Sequence, residues 1–243
     1  MRGLGTLVNV LAIVIGSGIG MLCKGGLKER FQQVLMQACG LATMFIGMAG
    51  AFEMIFTVED GRIRSGATML VVVSLVLGGL IGELINIEKG LDRLGEKLRK
   101  LMRANGDNRF VEGFVTASLV VCVGAMAICG PLEEGLTGNS QTLFIKAILD
   151  LVIVAVFASV YGLGVAFSAL SVGVYQGLIT VFAVFIAPFM SDHLITNLSG
   201  VGSVLIFSIG LNLLFPKKIR VGNLLPALLV PVAYEGILML PWW

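Results

Sequence analysis

Lys146 and Asp150 stand four residues apart in QTLFIKAILDLVIVAVFASVY, residues 141–161, a run long and apolar enough to cross a bilayer. About 20 apolar residues span a hydrocarbon core roughly 30 Å thick, which puts Asp150 near mid-membrane. An ionisable side chain there costs about 2.5–3.5 kcal/mol on insertion scales, so it faces a partner, a cavity or a pathway. Spaced i,i+4, the two side chains share one helix face about one turn apart. Two chemistries fit. One is a neutralised pair that eases insertion and fixes helix rotation. The other is a proton or cation site at Asp150 whose charge Lys146 modulates. Gln176 in SVGVYQGLIT, Asn212 in IGLNLL and Asn9 in the first apolar run are neutral amides. Such amides suit a cation or a substrate, and more often they make a helix–helix hydrogen bond.

Other chemistry is scarce. The sequence has no G-x-S-x-G, H-E-x-x-H or Walker A pattern, so neither a hydrolase elbow, a zincin nor a nucleotide site is expected. Its single histidine, His193, falls in a short polar stretch without metal-ligand company, and none of Cys23, Cys39, Cys122 and Cys129 forms a C-x-x-C pair. The thiols read as small buried hydrophobes. No metal, cofactor or catalytic residue is expected, and the chain is not expected to be an enzyme. Without an ATP site, any transport would be passive or ion-coupled.

These residues must be placed by membrane helices. The 243 residues are 57% hydrophobic and 13% charged, with a mean hydropathy of +0.97. Soluble domains carry about 25% charged residues, so the composition describes a polytopic membrane protein. Eight apolar segments can be marked, at 4–22, 34–56, 66–86, 110–130, 141–161, 166–190, 198–215 and 223–240, for seven or eight spans. The first reads as a retained helix, because its n-region has only Arg2 and no clear cleavage site follows. The fifth and sixth merge into one run, split at Gly162 and Gly164 into a tight helical hairpin. The eighth is interrupted by Pro226 and Pro231.

Gly130-Pro131 should end the fourth span and leave Glu133 and Glu134 in an outward loop. Glu83 and Glu53, near span ends, should reach headgroups. Trp242 and Trp243 should anchor at the interface.

Lysine and arginine in short loops set orientation. With the N-terminus outside, the inward loops carry Lys24, Lys28, Arg30, Lys89, Arg93, Lys97, Arg99, Lys100, Arg103, Arg109, Lys217, Lys218 and Arg220. The outward side then keeps Arg2, Arg62 and Arg64. Both termini are therefore expected outside the cytoplasm. Residues 87–102 place Ile87, Leu91, Leu94, Leu98 and Leu101 on one helical stripe, with Glu96 and Lys100 as an i,i+4 pair, and should lie on the cytoplasmic membrane surface. LAIVIGSGIGML (11–22) echoes VSLVLGGLIGEL (73–84), each with a G-x-x-x-G, and each precedes a basic amphipathic linker and another span. A duplicated two-helix hairpin, at about 4–56 and 66–130, is one reading. Close helix packing, which uses glycine everywhere, is the other.

Several separated blocks taken together resemble a known family. They are GTLVNVLAIVIGSGIG, GGLIGELINIEKGLDRLGEKL, CVGAMAICGPLEEGLTG, the Lys146-x-x-x-Asp150 segment, YQGLITV and KKIRVGNLLPALL. The chain resembles the YqgA/YdfK family of bacterial inner-membrane proteins over essentially its whole length. The resemblance implies a bacterial or archaeal polytopic membrane protein, and it carries no substrate or mechanism.

The expectation is thus an all-α, multi-pass bundle forming a single integral membrane domain, 1–243, in the cell (inner) membrane. Its surroundings are the lipid bilayer, with a small solute or cation as ligand, no nucleic acid, and association into a homo-oligomer left open. Two functions stay in play. The first is a secondary transporter or channel using Asp150, Lys146, Gln176, Asn212 and Asn9. The second is a non-transporting scaffold or regulator whose Lys/Asp pair is structural.

Overall fold

The computed structural model describes residues 2–24, 29–59, 61–101, 109–122, 125–215 and 219–238. Trp242 and Trp243, along with Lys28, Arg103, Lys217 and Lys218, lie outside the described residues. In chain order the elements begin with α1 (Leu4–Lys24), α2 (Glu29–Ile55), the strands β1 (Phe56–Glu59) and β2 (Arg62–Ser65), α3 (Thr68–Ile85) and α4 (Ile87–Leu101). Next come α5 (Phe110–Cys122), α6 (Ala125–Thr137), α7 (Gln141–Tyr161), a 3₁₀ segment (Gly162–Phe167), α8 (Ser168–Val181) and the short α9 (Ala183–Ile186). α10 (Asp192–Leu214), α11 (Val221–Leu224), a second 3₁₀ segment (Leu225–Leu228) and α12 (Leu229–Leu238) complete the chain. Among the described residues the fold is all-α apart from one antiparallel hairpin of two four-residue strands, with Phe56 opposite Ser65 and Glu59 opposite Arg62.

Among the described residues five helical runs are long and apolar enough to span a membrane, six if the bent pair α5–α6 counts as one. One of these runs, Gln141–Val181, folds back on itself and so supplies both the fifth and the sixth segments; the remaining departures from eight have local reasons. Pro226 and Pro231 cut the last segment into α11, a 3₁₀ turn and the ten-residue α12, since proline supplies no N–H to the helix ladder. α6 departs from α5 by 60° and runs through Pro131 to Thr137, so Gly130-Pro131 ends nothing. The helix stops instead at Gly138, whose φ of +77° is the left-handed conformation glycine accepts at a helix C-terminus.

The run Gln141–Val181 has 41 residues and would be roughly 60 Å long if straight, twice the hydrocarbon thickness. It turns back at Gly162, where φ is +81°. The contacts of α1 prove the reversal. Gly5, Gly16 and Gly20 meet Leu143, Leu151 and Ala155, so α1 runs parallel to α7. Thr6, Asn9 and Val10 meet Thr180, Gln176 and Gly173, so α8 runs opposite to both.

The chain forms two compact units, each assembled from two stretches: Met1–Gly40 with Leu91–Phe189, and Leu41–Gly90 with Met190–Trp243. In the first, a Cβ at Gly16 would collide with the Leu151 carbonyl, and one at Gly20 with the Ala155 carbonyl. The G-x-x-x-G face therefore lets α1 lie against the main chain of α7. On the same unit's surface segment α4, Glu96 pairs with Arg99 at 2.7 Å, not with the expected Lys100. Gly95 of that helix is buried against Val111, while Leu94 and Leu101 stay exposed.

In the second unit the other G-x-x-x-G repeats the device. Gly78 lies against the backbone of Ala227 and Gly82 against the Asn223 carbonyl, beside a core of Met54, Val71, Val201 and Ala227. Gly20→Ala should therefore lower the thermal midpoint of the detergent-solubilised protein by several degrees, the usual effect of about 1–3 kcal/mol of overpacking. Gly18→Ala, on the open side of the same helix, should leave it unchanged.

Candidate functional site

The sequence-predicted pair sits where three helices of the first unit converge. Lys146 and Asp150, 5% and 4% exposed, project from α7 and form a direct ion pair. The Lys146 ammonium also donates to the Val121 carbonyl at 2.8 Å. That carbonyl belongs to the last turn of α5, where helix carbonyls lack intrahelical donors and the dipole is negative. Asn9, from α1, donates through Nδ2 to the Gln176 Oε1 of α8 at 3.3 Å and lies beside the Asp150 carboxylate. Asn9 and Gln176 are both fully buried, and Asn9 Oδ1 and Gln176 Nε2 find no partner among the described residues. The site thus gathers one cation, one anion, one spare acceptor and one spare donor.

One turn toward the chain's beginning, a second carboxylate is in place. Glu134 is fully buried and does not lie in a loop. It is on the extended α6 and accepts from the Gly5 N–H at 2.5 Å, the Thr6 N–H at 3.4 Å, the Thr6 hydroxyl at 3.2 Å and the Ser140 hydroxyl at 2.6 Å. It answers the free N–H groups and positive dipole end of α1, where an anion is favoured. Its neighbour Glu133, on the same helix, holds Asn139 and Thr142 at 2.6 and 2.7 Å. Thr6 in turn approaches the Thr180 hydroxyl at 3.5 Å. A groove of about 490 Å³ opens onto these two threonines, with Arg2, Gly173 and Gly177 in its walls.

The signal for Glu134 was present in the sequence. Gly138 is the helix terminator, and reading it as one keeps Glu134 on a helix.

Asn212 does not share this setting. It belongs to the second unit, near the end of α10, and clamps the following turn by donating to the Ile219 carbonyl at 2.7 Å and accepting its N–H at 3.1 Å. Glu83, its side chain still half exposed, is tied within the second unit. It accepts from Arg220 at 2.5 Å and Asn223 at 2.7 Å. His193 lies in the first turn of α10, with Nδ1 2.8 Å from the Glu235 carboxylate, which also takes the Ser191 hydroxyl at 2.9 Å. The thiols are less covered than expected. Cys23 is exposed and Cys122 and Cys129 half-buried, while the Cys39 side chain is outside the described residues.

Removing one partner of a buried ion pair costs about 3–5 kcal/mol, because the other charge is stranded. Lys146→Met and Asp150→Asn should each lower the thermal midpoint in detergent. The double variant should recover most of the loss, giving a coupling energy in a double-mutant cycle. Strictly additive losses would show that the pair is not an energetic unit.

The chain matches a protein family described as "Protein of unknown function (DUF554)" over residues 4–235. It is 37% identical over 227 residues to the "Uncharacterized membrane protein YdfK" of Bacillus subtilis, covering 93% of each chain. It is 27% identical over 231 residues to the "Uncharacterized protein YqgA" of Escherichia coli, covering 93% of this chain and 94% of the relative. No solved structure matches. With multiple apolar helices and near full-length similarity to a membrane protein, the chain is a polytopic membrane protein that belongs to the DUF554 family.

Proposed function

We propose that this protein is a secondary transporter or channel for a small solute or ion, in which Asp150 binds or carries the charge. One observation supports the reading above others. A buried carboxylate is paired with a lysine, and Asn9 beside it is bonded to Gln176, the two amides keeping an unpartnered acceptor and donor. A purely structural pair gains nothing from such atoms, since an unmatched buried polar group costs about 1–3 kcal/mol. Lys146 supplies the counter-charge that keeps Asp150 tolerable in lipid when no ligand is present. Asn9 and Gln176 supply neutral ligation. No catalytic step is part of this reading, and the nearest partners are the lipid bilayer and the transported species.

Orientation belongs to the same reading. The lysine and arginine bias supports both termini lying outside the cytoplasm, and the resemblance to bacterial membrane proteins supports a cell membrane. The matched G-x-x-x-G faces of α1 and α3 support a duplicated origin for the two helices. A reporter active only in the cytoplasm, fused to the C-terminus, should stay silent, and an active fusion would overturn this topology.

A second reading has its own support. Lys146 is fully engaged by Asp150 and Val121, as a structural clamp would be, and α4 presents a charged face to which a soluble partner could dock. The Lys146→Met/Asp150→Asn double variant separates the two. It replaces the pair by groups that need no counter-charge, so folding survives while both charges of the pair are gone. Reconstituted into vesicles with a panel of ions and small solutes, the wild type should show a flux that the double variant lacks at equal thermal stability. Equal flux in both, or none in either, would sink the transport reading.

A further inference from the structure

We propose that the transported species is the proton, and that it moves along a file of polar side chains between α1 and α8 whose outer carboxylate is Glu134. The inference rests on the transport reading and names its substrate and route.

The pairings Thr6 with Thr180, Asn9 with Gln176 and Val10 with Gly173 fix the register of these two antiparallel helices. Continued one turn at a time, that register sets Ile13 opposite Val172 and Ser17 opposite Ser168. On α1 the positions 6, 9, 13 and 17 form one stripe, and on α8 so do 180, 176, 172 and 168. All eight side chains are buried.

Three of the four levels are polar on both sides. The serine level carries the same mark as the amide level: the hydroxyls of Ser17 and Ser168, like Asn9 Oδ1 and Gln176 Nε2, have no partner among the described residues. A serine inside a helix can satisfy its hydroxyl on a carbonyl of the preceding turn. Ser208 does so here on Val204 at 2.9 Å. Four unmatched polar atoms on one buried seam are expensive unless something passes through or hydrates it.

The chemistry of the stations selects the proton. Hydroxyls and amides both donate and accept, which a hydrogen-bonded relay requires. A metal cation stripped of water needs roughly six or more oxygen ligands when divalent. The amide level offers only Asn9 Oδ1, the Gln176 carbonyl oxygen and the Asp150 carboxylate. Among the described residues no cluster of acidic, histidine or cysteine side chains fits a metal ion.

In the proposed path Glu134 takes a proton from water in the groove lined by Thr6 and Thr180. The proton passes along their hydroxyls and through water entering the seam to the Asp150 carboxylate, which becomes a neutral acid. Its ion pair with Lys146 is thereby released, and the ammonium keeps its bond to the Val121 carbonyl. Ile13 and Val172, both fully buried, are an apolar step that closes the file between Asp150 and the serine level; when it opens, Asp150 gives its proton to the Ser17 and Ser168 hydroxyls and on to water, and the ion pair with Lys146 re-forms.

The test opens that step. Ile13→Ser/Val172→Ser joins the amide and serine levels and should turn the protein into a proton leak. The leak is read in vesicles of phosphatidylethanolamine and phosphatidylglycerol with an internal pH dye, an acid pulse and a clamped potential. Adding Glu134→Gln or Asp150→Asn to that variant should return the leak to the vesicle background. Thr180→Val, which removes a hydroxyl and keeps the shape, should slow it without moving the thermal midpoint.

A leak in the opened variant beside a silent wild type would sustain the path while refuting native transport. The path itself is overturned if the opened variant, folded by its thermal midpoint, does not leak. It is equally overturned if the leak survives Glu134→Gln, or if a sodium pulse is carried in place of the proton.

Discussion

The approach of α1 to α7, main chain against main chain, is the contact on which the rest of the first unit depends. Between helices in lipid there is no hydrophobic gain to spend, because acyl chains are as apolar as leucine. Association comes from close packing and interhelical hydrogen bonds. Gly16 and Gly20 let two backbones approach with no side chain between them. That closeness brings Asn9 within reach of both Asp150 and Gln176, and brings the first amides of α1 onto Glu134. If the glycine face were displaced, both carboxylates would lose ligands together.

The two buried acids are solved by different physics. Asp150 is balanced by a full opposite charge on its own helix, one turn away. Glu134 has no such ion pair among the described residues, and is balanced by partial charges: two main-chain N–H groups at a helix start and two hydroxyls. The first solution keeps its counter-charge on its own helix, although the Val121 carbonyl and Asn9 that complete it come from neighbouring helices. The second holds only while α1 stays docked on α6, so Glu134 reports tertiary assembly in a way Asp150 does not.

Much of this was legible in the sequence, and the parts that were not share a cause. Lys146 and Asp150 announced themselves because charge in an apolar run has few explanations, and i,i+4 spacing is local. The reversal at Gly162 followed from length alone. Asn9 and Gln176 could be named as candidates, yet nothing local says that residues 167 apart in sequence will touch. Asn212 looked like them by type, and its real role, bonding Ile219, depends on where α10 stops. Glu134 was misplaced because a Gly-Pro pair was read as a terminator, although proline is tolerated inside membrane helices whose freed carbonyls find other partners. G-x-x-x-G was a sound signal for close packing, and it did not say against what. The partner of α1 proved to be α7.

The interleaving of the two units along the chain has a consequence for how the protein is made. The glycine face of α3 is finished early, but its seat is built by Asn223 and Ala227 near the other end of the chain. Glu83 waits for Asn223 across a separation of 140 residues. At ordinary synthesis speeds that interval is on the order of ten seconds. During it α3 stands in the bilayer with a bare main-chain surface and an unpaired carboxylate. A nascent chain of this kind needs a provisional companion, whether lipid headgroups, the insertion machinery or a neighbouring copy, and biogenesis is where its architecture is most exposed.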